Sequence, residues 1–138
     1  MYGDKHYTIS IEDVACYPQA YAAAATMLHA LLDDPKAVVL DIGGFTADYL
    51  LLKNGKADLA SCDSLENGVI LLYNKIRSRG NAELDLRYCK VVFVGGGAIL
   101  LRRQIEDSGK VGTPLFVTNI NANAAGFEYL YRLETVGR

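Results

Sequence analysis

Apolar positions follow two rhythms along this chain. Ala37-Val-Val-Leu-Asp-Ile42 is apolar at every position but one, and Val91-Val-Phe-Val94 is apolar throughout. Continuous runs of this length predict strands buried on both faces. Thr46 to Lys53 and Lys56 to Cys62 flank Asn54-Gly55. An Asn-Gly pair supplies the two left-handed positions that a tight hairpin requires. Residues 36–62 are therefore predicted to form a three-stranded antiparallel meander whose first turn is Gly43-Gly44. A short strand is predicted from Pro114 to Thr118, and Tyr7 to Tyr17 is β-prone with Pro18 as its stop.

The other rhythm is helical. The alanine-rich run from Gln19 to Leu32 follows Pro18 and meets Asp33-Asp34-Pro35, which predicts a helix from Pro18 to Asp34. Leu65 to Arg79 carries Val69, Leu72, Tyr73 and Ile76 on one face and breaks at Gly80-Asn81. Ala98 to Asp107 and Asn121 to Leu133 complete the helices, with Asn121 or Asn123 as the N-cap of the last. The order β-β-β-α-β-α-β-α implies an α/β fold: a five-stranded mixed sheet with helices on both faces.

Composition changes little. With 138 residues, 51% hydrophobic and 22% charged, the chain is an ordinary globular domain. A net charge of −2 without a Lys/Arg block argues against direct nucleic-acid binding. Lys75-Ile-Arg-Ser-Arg79 and Arg102-Arg103 are short enough to be solvated helix positions. The three cysteines, Cys16, Cys62 and Cys89, are scattered, and His6 and His29 lack metal-ligand spacing. No apolar run reaches the length of a membrane span. The expected setting is cytoplasmic.

Two glycine clusters carry the candidate chemistry. Val38-Val-Leu-Asp-Ile-Gly-Gly-Phe-Thr-Ala-Asp48 brings a carboxylate, Asp41, into a turn of two glycines followed by a hydroxyl residue. Glycine backbone N–H groups can close on a phosphate, and a neighbouring carboxylate can hold a hydrated divalent cation. Alone, Asp-x-Gly-Gly also fits a simple β-turn. Gly95-Gly96-Gly97 caps the second apolar strand and alone also fits a close strand-to-helix crossing. It has the spacing neither of a dinucleotide fingerprint nor of a P-loop. Together the clusters place two glycine turns at strand ends of one sheet, where α/β ligands bind.

These residues resemble a known superfamily. Asp41-Ile-Gly-Gly-Phe-Thr-Ala-Asp48 looks like the second phosphate loop of the actin/Hsp70/sugar-kinase group, with its ribonuclease H-like fold. Val91-Val-Phe-Val-Gly-Gly-Gly-Ala98 resembles its adenosine motif, and Val14-Ala-Cys-Tyr-Pro-Gln-Ala-Tyr-Ala-Ala23 its interlobe connector. Within the group the likeness is to plasmid-segregation actins of the ParM/StbA type. Their C-terminal pattern recurs as Gly95-Gly-Gly-Ala-Ile-Leu, Phe116-Val-Thr-Asn-Ile-Asn-Ala-Asn and Gly126-Phe-Glu-Tyr-Leu.

The resemblance implies ATP and Mg²⁺ as ligands. It gives Asp41 the role of holding Mg²⁺ through water and orienting the attacking water, and Gln19 that of positioning the same water. Gln19 as a cap of its own helix stands beside that role. Gly43, Gly44, Phe45 and Thr46 would surround the β- and γ-phosphates. Gly68, Gly95, Gly96, Gly97, Ile99 and Leu100 would line the nucleoside, with Glu66 and Lys75 either near its edge or solvated.

Residues 1–34 are then expected to be a connector strand and helix from the lobe junction. Residues 35–138 would be the C-terminal nucleotide-binding lobe, with no N-terminal lobe in this chain. Only Gly80 to Lys90 stands where relatives insert a helical subdomain against the adenine. The implied parent polymerises into filaments, hydrolyses ATP and moves plasmid or phage DNA through an adaptor protein, without membrane binding. The chain alone is expected to be inactive, and the Tyr7–Tyr17 strand to pair with another chain. A small-molecule kinase, an Hsp70-like protein and a catalytically silent scaffold are the alternatives on this fold.

Overall fold

The computed structural model describes residues 3–66 and 86–136. Five strands carry the fold: β1 (Ala37–Ile42), β2 (Ala47–Lys53), β3 (Lys56–Leu65), β4 (Lys90–Val94) and β5 (Thr113–Phe116). They form one sheet in the order β3-β2-β1-β4-β5. The first three make an antiparallel meander, while β4 runs parallel to β1 and β5 parallel to β4. The mixed sheet is the one expected from the pattern of apolar runs. At the hairpin, Asn54 and Gly55 take φ values of 50° and 72°, the left-handed pair that the Asn-Gly signal requires.

Every residue of β1 is buried, because helices cover both faces of the sheet. Val38 and Leu40 join Val91 and Phe93 on one face, under Ala98 of α2 (Gly96–Leu100) and Ile105 of α3 (Arg102–Asp107). Ala37 and Val39 join Val92 and Val94 on the other face. There they meet Ala20, Ala23 and Ala24 of α1 (Gln19–Ala25), Leu31, and Ala122 of α4 (Ala122–Val136). The alanines let α1 lie close to the sheet, and α4 lies close to α1. A Cβ on Gly126 would run into the Ala22 carbonyl. On the first face Phe93 stacks on Phe116 at 5.1 Å between ring centroids. Truncating a buried Phe such as Phe93 to Ala costs about 3–5 kcal/mol.

Several expected elements differ in their bounds. Tyr7 to Tyr17 contains no strand; Lys5 makes an isolated bridge and residues 6–18 have no regular structure. Tyr7, Ile9, Ile11 and Val14 are all exposed. A strand needs a hydrogen-bonded neighbour as well as β-branched residues, and among the described residues none of the sheet's ladders includes this segment. The alanine helix stops at Ala25 instead of Asp34. Met27 N–H bonds back to Ala24 O at 2.9 Å, and a 3₁₀ turn, Leu28–Ala30, follows. Lys90 Nζ donates to Ala30 O at 2.9 Å and pairs with Asp34 Oδ2 at 2.7 Å, which ties this tighter path to the start of β4. The detour places Leu31 wholly in the core.

The helix predicted from Ala98 to Asp107 is two short ones, starting at Gly96 and meeting at Leu101, whose φ and ψ are −91° and 4°. Strand β3 runs on to Leu65 and bulges beside Tyr49 and Leu51. Ser61 Oγ accepts the Leu51 N–H at 2.9 Å at that irregularity. A bulged edge is a poor template for another strand. Beyond Leu65 the predicted helix to Arg79, with Gly68 and Lys75, lies outside the described residues.

Candidate functional site

Among the described residues Asp41 is the buried charged one, only 4% exposed. Alternation along β1 points its side chain to the face covered by α1 and α4. Gln19, the first residue of α1, donates from Nε2 to Asp41 Oδ2 at 3.4 Å. Asn123, in the first turn of α4, donates from Nδ2 to the same oxygen at 3.3 Å. Two helix starts and the end of a strand therefore converge on one carboxylate. The predicted pair of Gln19 and Asp41 is brought together.

Asp48 completes the electrostatic setting. It is the register partner of Asp41 across β1 and β2, so both carboxylates stand on the same face. Burial pushes the Asp41 carboxyl above its ordinary value; the Asn123 hydrogen bond opposes this, the Asp48 charge adds to it, and the Gln19 hydrogen bond opposes it. A buried carboxylate, held by neutral amides and facing a second carboxylate, suits a cation. Among the described residues no cluster of three or more His, Cys, Asp or Glu can cage a metal. Two carboxylates on one face are an oxygen donor set of the kind that suits a hydrated ion such as Mg²⁺, which keeps most of its waters.

The two glycine turns are adjacent because β1 and β4 are parallel neighbours, with Asp41 in register with Val94. In the first turn Gly43 N–H donates to Thr46 O at 2.9 Å, so this donor is used inside the loop. Gly44, Phe45 and Thr46 are exposed, with Phe45 93% exposed.

The second turn is tighter. Gly95 has φ +89°, and a Cβ there would stand 2.5 Å from Asp41 Oδ1 and 2.6 Å from Ile42 O. A Cβ on Gly97 would stand 2.6 Å from Ile42 Cγ2 and 2.8 Å from Ile42 O, whereas Gly96 faces open space. The close crossing suggested by the triplet is real, and its partner is the Asp41 turn. Ile99 and Leu100 are 37% and 82% exposed, beyond the turn in α2. Gly68 lies outside the described residues.

Sequence reasoning missed Asn123 as a site residue and assigned it to capping. The side chain that bonds the backbone before α4 is that of Asn119, whose Oδ1 accepts the Asn121 N–H at 2.9 Å. The available signal was the triplet Asn119, Asn121 and Asn123, more amides than one helix start needs. Asp48 was noted beside the turn without a role. Among the described residues no helix is long and apolar enough to cross a membrane.

No protein-family profile and no curated protein matches the chain. Solved structures do, and they define an actin-like fold. Ta0583, an archaeal actin homolog, superposes with a TM-score of 0.62 at 19% identity, over 84% of this chain and 55% of its own. The apo psk41 ParM protein gives 0.61 at 15%, over 86% and 49%. The Alp12 filament structure gives 0.61 at 14%, over 96% and 57%. Ta0583 has also been solved in complex with ADP, and that form matches at 0.57. The chain thus spans about half the length of the structures it matches. The five-stranded mixed sheet, with its helices on both faces, is the architecture of these actin-like proteins.

Proposed function

We propose that this chain is the C-terminal nucleotide-binding lobe of an actin-like ATPase of the ParM/StbA type. Its residues 1–34 form the connector from the lobe junction, and residues 35–138 form the lobe itself. The observation that carries the reading is Asp41, buried at the end of β1 between two glycine turns, with the Gln19 amide on its carboxylate. In this reading Gly43, Gly44, Phe45 and Thr46 surround the β- and γ-phosphates, Gly44, Phe45 and Thr46 with backbone N–H groups and Thr46 also with its hydroxyl. Gly95, Gly96 and Gly97, with Ile99, Leu100 and Gly68, face the nucleoside.

Asp41 would hold Mg²⁺ through water, and Gln19 would orient the attacking water. Bound Mg²⁺ supplies charge neutralisation at the phosphate oxygens. Phosphoryl transfer needs positioning and charge neutralisation more than covalent help. The ADP complex of Ta0583 and the filament form of Alp12 support nucleotide binding and self-association as the parent's properties. The parent is cytoplasmic, polymerises with Mg·ATP, and reaches plasmid or phage DNA through an adaptor.

The test is ATP turnover and sedimentation of the full-length protein, wild type against Asp41→Ala. Wild type is expected to hydrolyse ATP and to pellet with Mg·ATP, with turnover down about 100-fold or more in the variant. Equal turnover in the two removes the hydrolytic assignment. Binding of Mg·ATP by the wild type without turnover supports the silent scaffold instead.

A further inference from the structure

Asn123 and Asp41 are 82 positions apart in sequence, and only the packing of α4 on α1 brings them together. The crossing point of those helices is Gly126 on Ala22, where a Cβ has no room. Gln19 and Asn123 each stand one turn N-terminal to that crossing. The helix contact therefore sets the separation of the two amides above the carboxylate.

Both amides donate to Asp41 Oδ2, at 3.4 Å from Gln19 and 3.3 Å from Asn123. Asp41 Oδ1 lies instead against the Gly95 backbone, 2.5 Å from the point where a Cβ would stand. The two oxygens of the carboxylate are thereby distinguished. One is clamped by helices and the other lies along the glycine turn.

A second observation concerns Asn123 itself. Its Oδ1 is buried, and among the described residues no donor reaches it. Turning the amide over would set that oxygen against the Asp41 carboxylate. A buried acceptor without a donor costs about 1–3 kcal/mol, and folded proteins keep one mainly where a water or ligand supplies the donor.

We propose that Asn123 is a positioning residue of the nucleotide site: its Nδ2 fixes the Asp41 carboxylate, and its Oδ1 accepts a hydrogen bond from a water that enters with the cation and nucleotide. This inference rests on the nucleotide reading above. Hydrogen bonds of 3.3 and 3.4 Å are long for N–H···O, and site geometry of this kind tightens on loading. With Asn123 in place, Asp41 meets the hydrated cation in one orientation; without it, Gln19 alone restrains the carboxylate.

The experiment compares wild type, Asn123→Leu, Asn123→Ala and Asp41→Ala in the full-length protein, after thermal melts have established folding. Asn123→Ala removes the donor without adding bulk or charge beside Asp41 and favours the helix, so it remains informative if Asn123→Leu folds poorly. The expected result is a kcat lower by about 10–100-fold, the worth of a hydrogen bond to a charged group, with KM for Mg·ATP within about threefold. A purely structural role would lower the melting temperature and leave kcat per folded molecule unchanged. Wild-type kcat in folded Asn123 variants, with Asp41→Ala inactive, overturns the proposal and leaves the nucleotide reading standing. Wild-type turnover in Asp41→Ala overturns both.

A readout independent of activity uses the 138-residue chain, isotopically labelled. The side-chain NH₂ resonances of Asn123 and Gln19 are expected to shift in Asp41→Ala. An unmoved Asn123 NH₂ pair overturns the proposal whatever the kinetics show.

Discussion

The two glycine turns look alike in sequence and are built for opposite reasons. Gly95-Gly96-Gly97 is glycine by exclusion, because its first and third members lie against Asp41 and Ile42 with no space for a methyl group. Gly43-Gly44 is an open loop; a Cβ on Gly43 would make only an ordinary 3.4 Å contact with Thr46 O, and one on Gly44 would meet nothing. One turn uses glycine to let two backbone segments approach. The other leaves room beside an exposed loop, where a phosphate would approach. A glycine cluster therefore identifies a site only after the space around each Cα is known.

The sharpest way to break the comparison is Gly95→Ala. The left-handed φ and the 2.5 Å approach to Asp41 Oδ1 act together, and a loss of about 3 kcal/mol or more is expected by urea denaturation. An unchanged denaturation midpoint would mean that the turn is not packed as described. Gly97→Ala should cost about 2 kcal/mol by the same measurement, since Ile42 must move but φ is unstrained.

Asp41→Asn tests the electrostatic side of the packed turn. Burial raises the folded-state pKa of Asp41, so the protonated form is favoured on folding. Stability from this group is fully present below its unfolded value, about pH 4, and is lost as pH rises through the raised folded value. Asp41→Asn is therefore expected to melt higher than wild type near neutral pH, with the advantage vanishing below about pH 4. A lower melting temperature at neutral pH contradicts the assignment.

Gly96→Ala and Gly44→Ala complete the contrast from the mild side. Both positions face open space without a left-handed φ, so each is expected to be neutral or stabilising by about 0.5 kcal/mol. Opposite signs at neighbouring positions 95 and 96 would be hard to explain by composition. The smallest expected effect is that of ATP on the isolated chain: about 1 mM Mg·ATP should shift its melting temperature by less than about 1 °C. A clear shift would show that the open turn binds nucleotide unaided.

Much of the fold was legible. Continuous apolar runs marked β1 and β4, and Asn54-Gly55 marked the β2–β3 hairpin, because these signals act between near neighbours. The strand expected at Tyr7 to Tyr17 failed for the same reason in reverse. Its residues favour an extended chain, but a partner edge is a property of the assembled sheet. The helix after Pro18 shortened because Lys90, far along the chain, captures Ala30 and Asp34. Asp41 announced itself beside two glycines, and the resemblance set Gln19 beside it. Asn123 was hidden, because it also fits the bland role of a helix-start residue.

By itself, then, the sequence determined the strands, the hairpin, the two glycine turns and the carboxylate between them. All of these follow from local patterning and from conformations that few residues can adopt. Only the tertiary structure decided that Asp48 faces Asp41, that Gly95 and Gly97 are glycine for want of space, and that Asn123 reaches the carboxylate. Those relations depend on distances between segments remote in sequence, which packing alone creates.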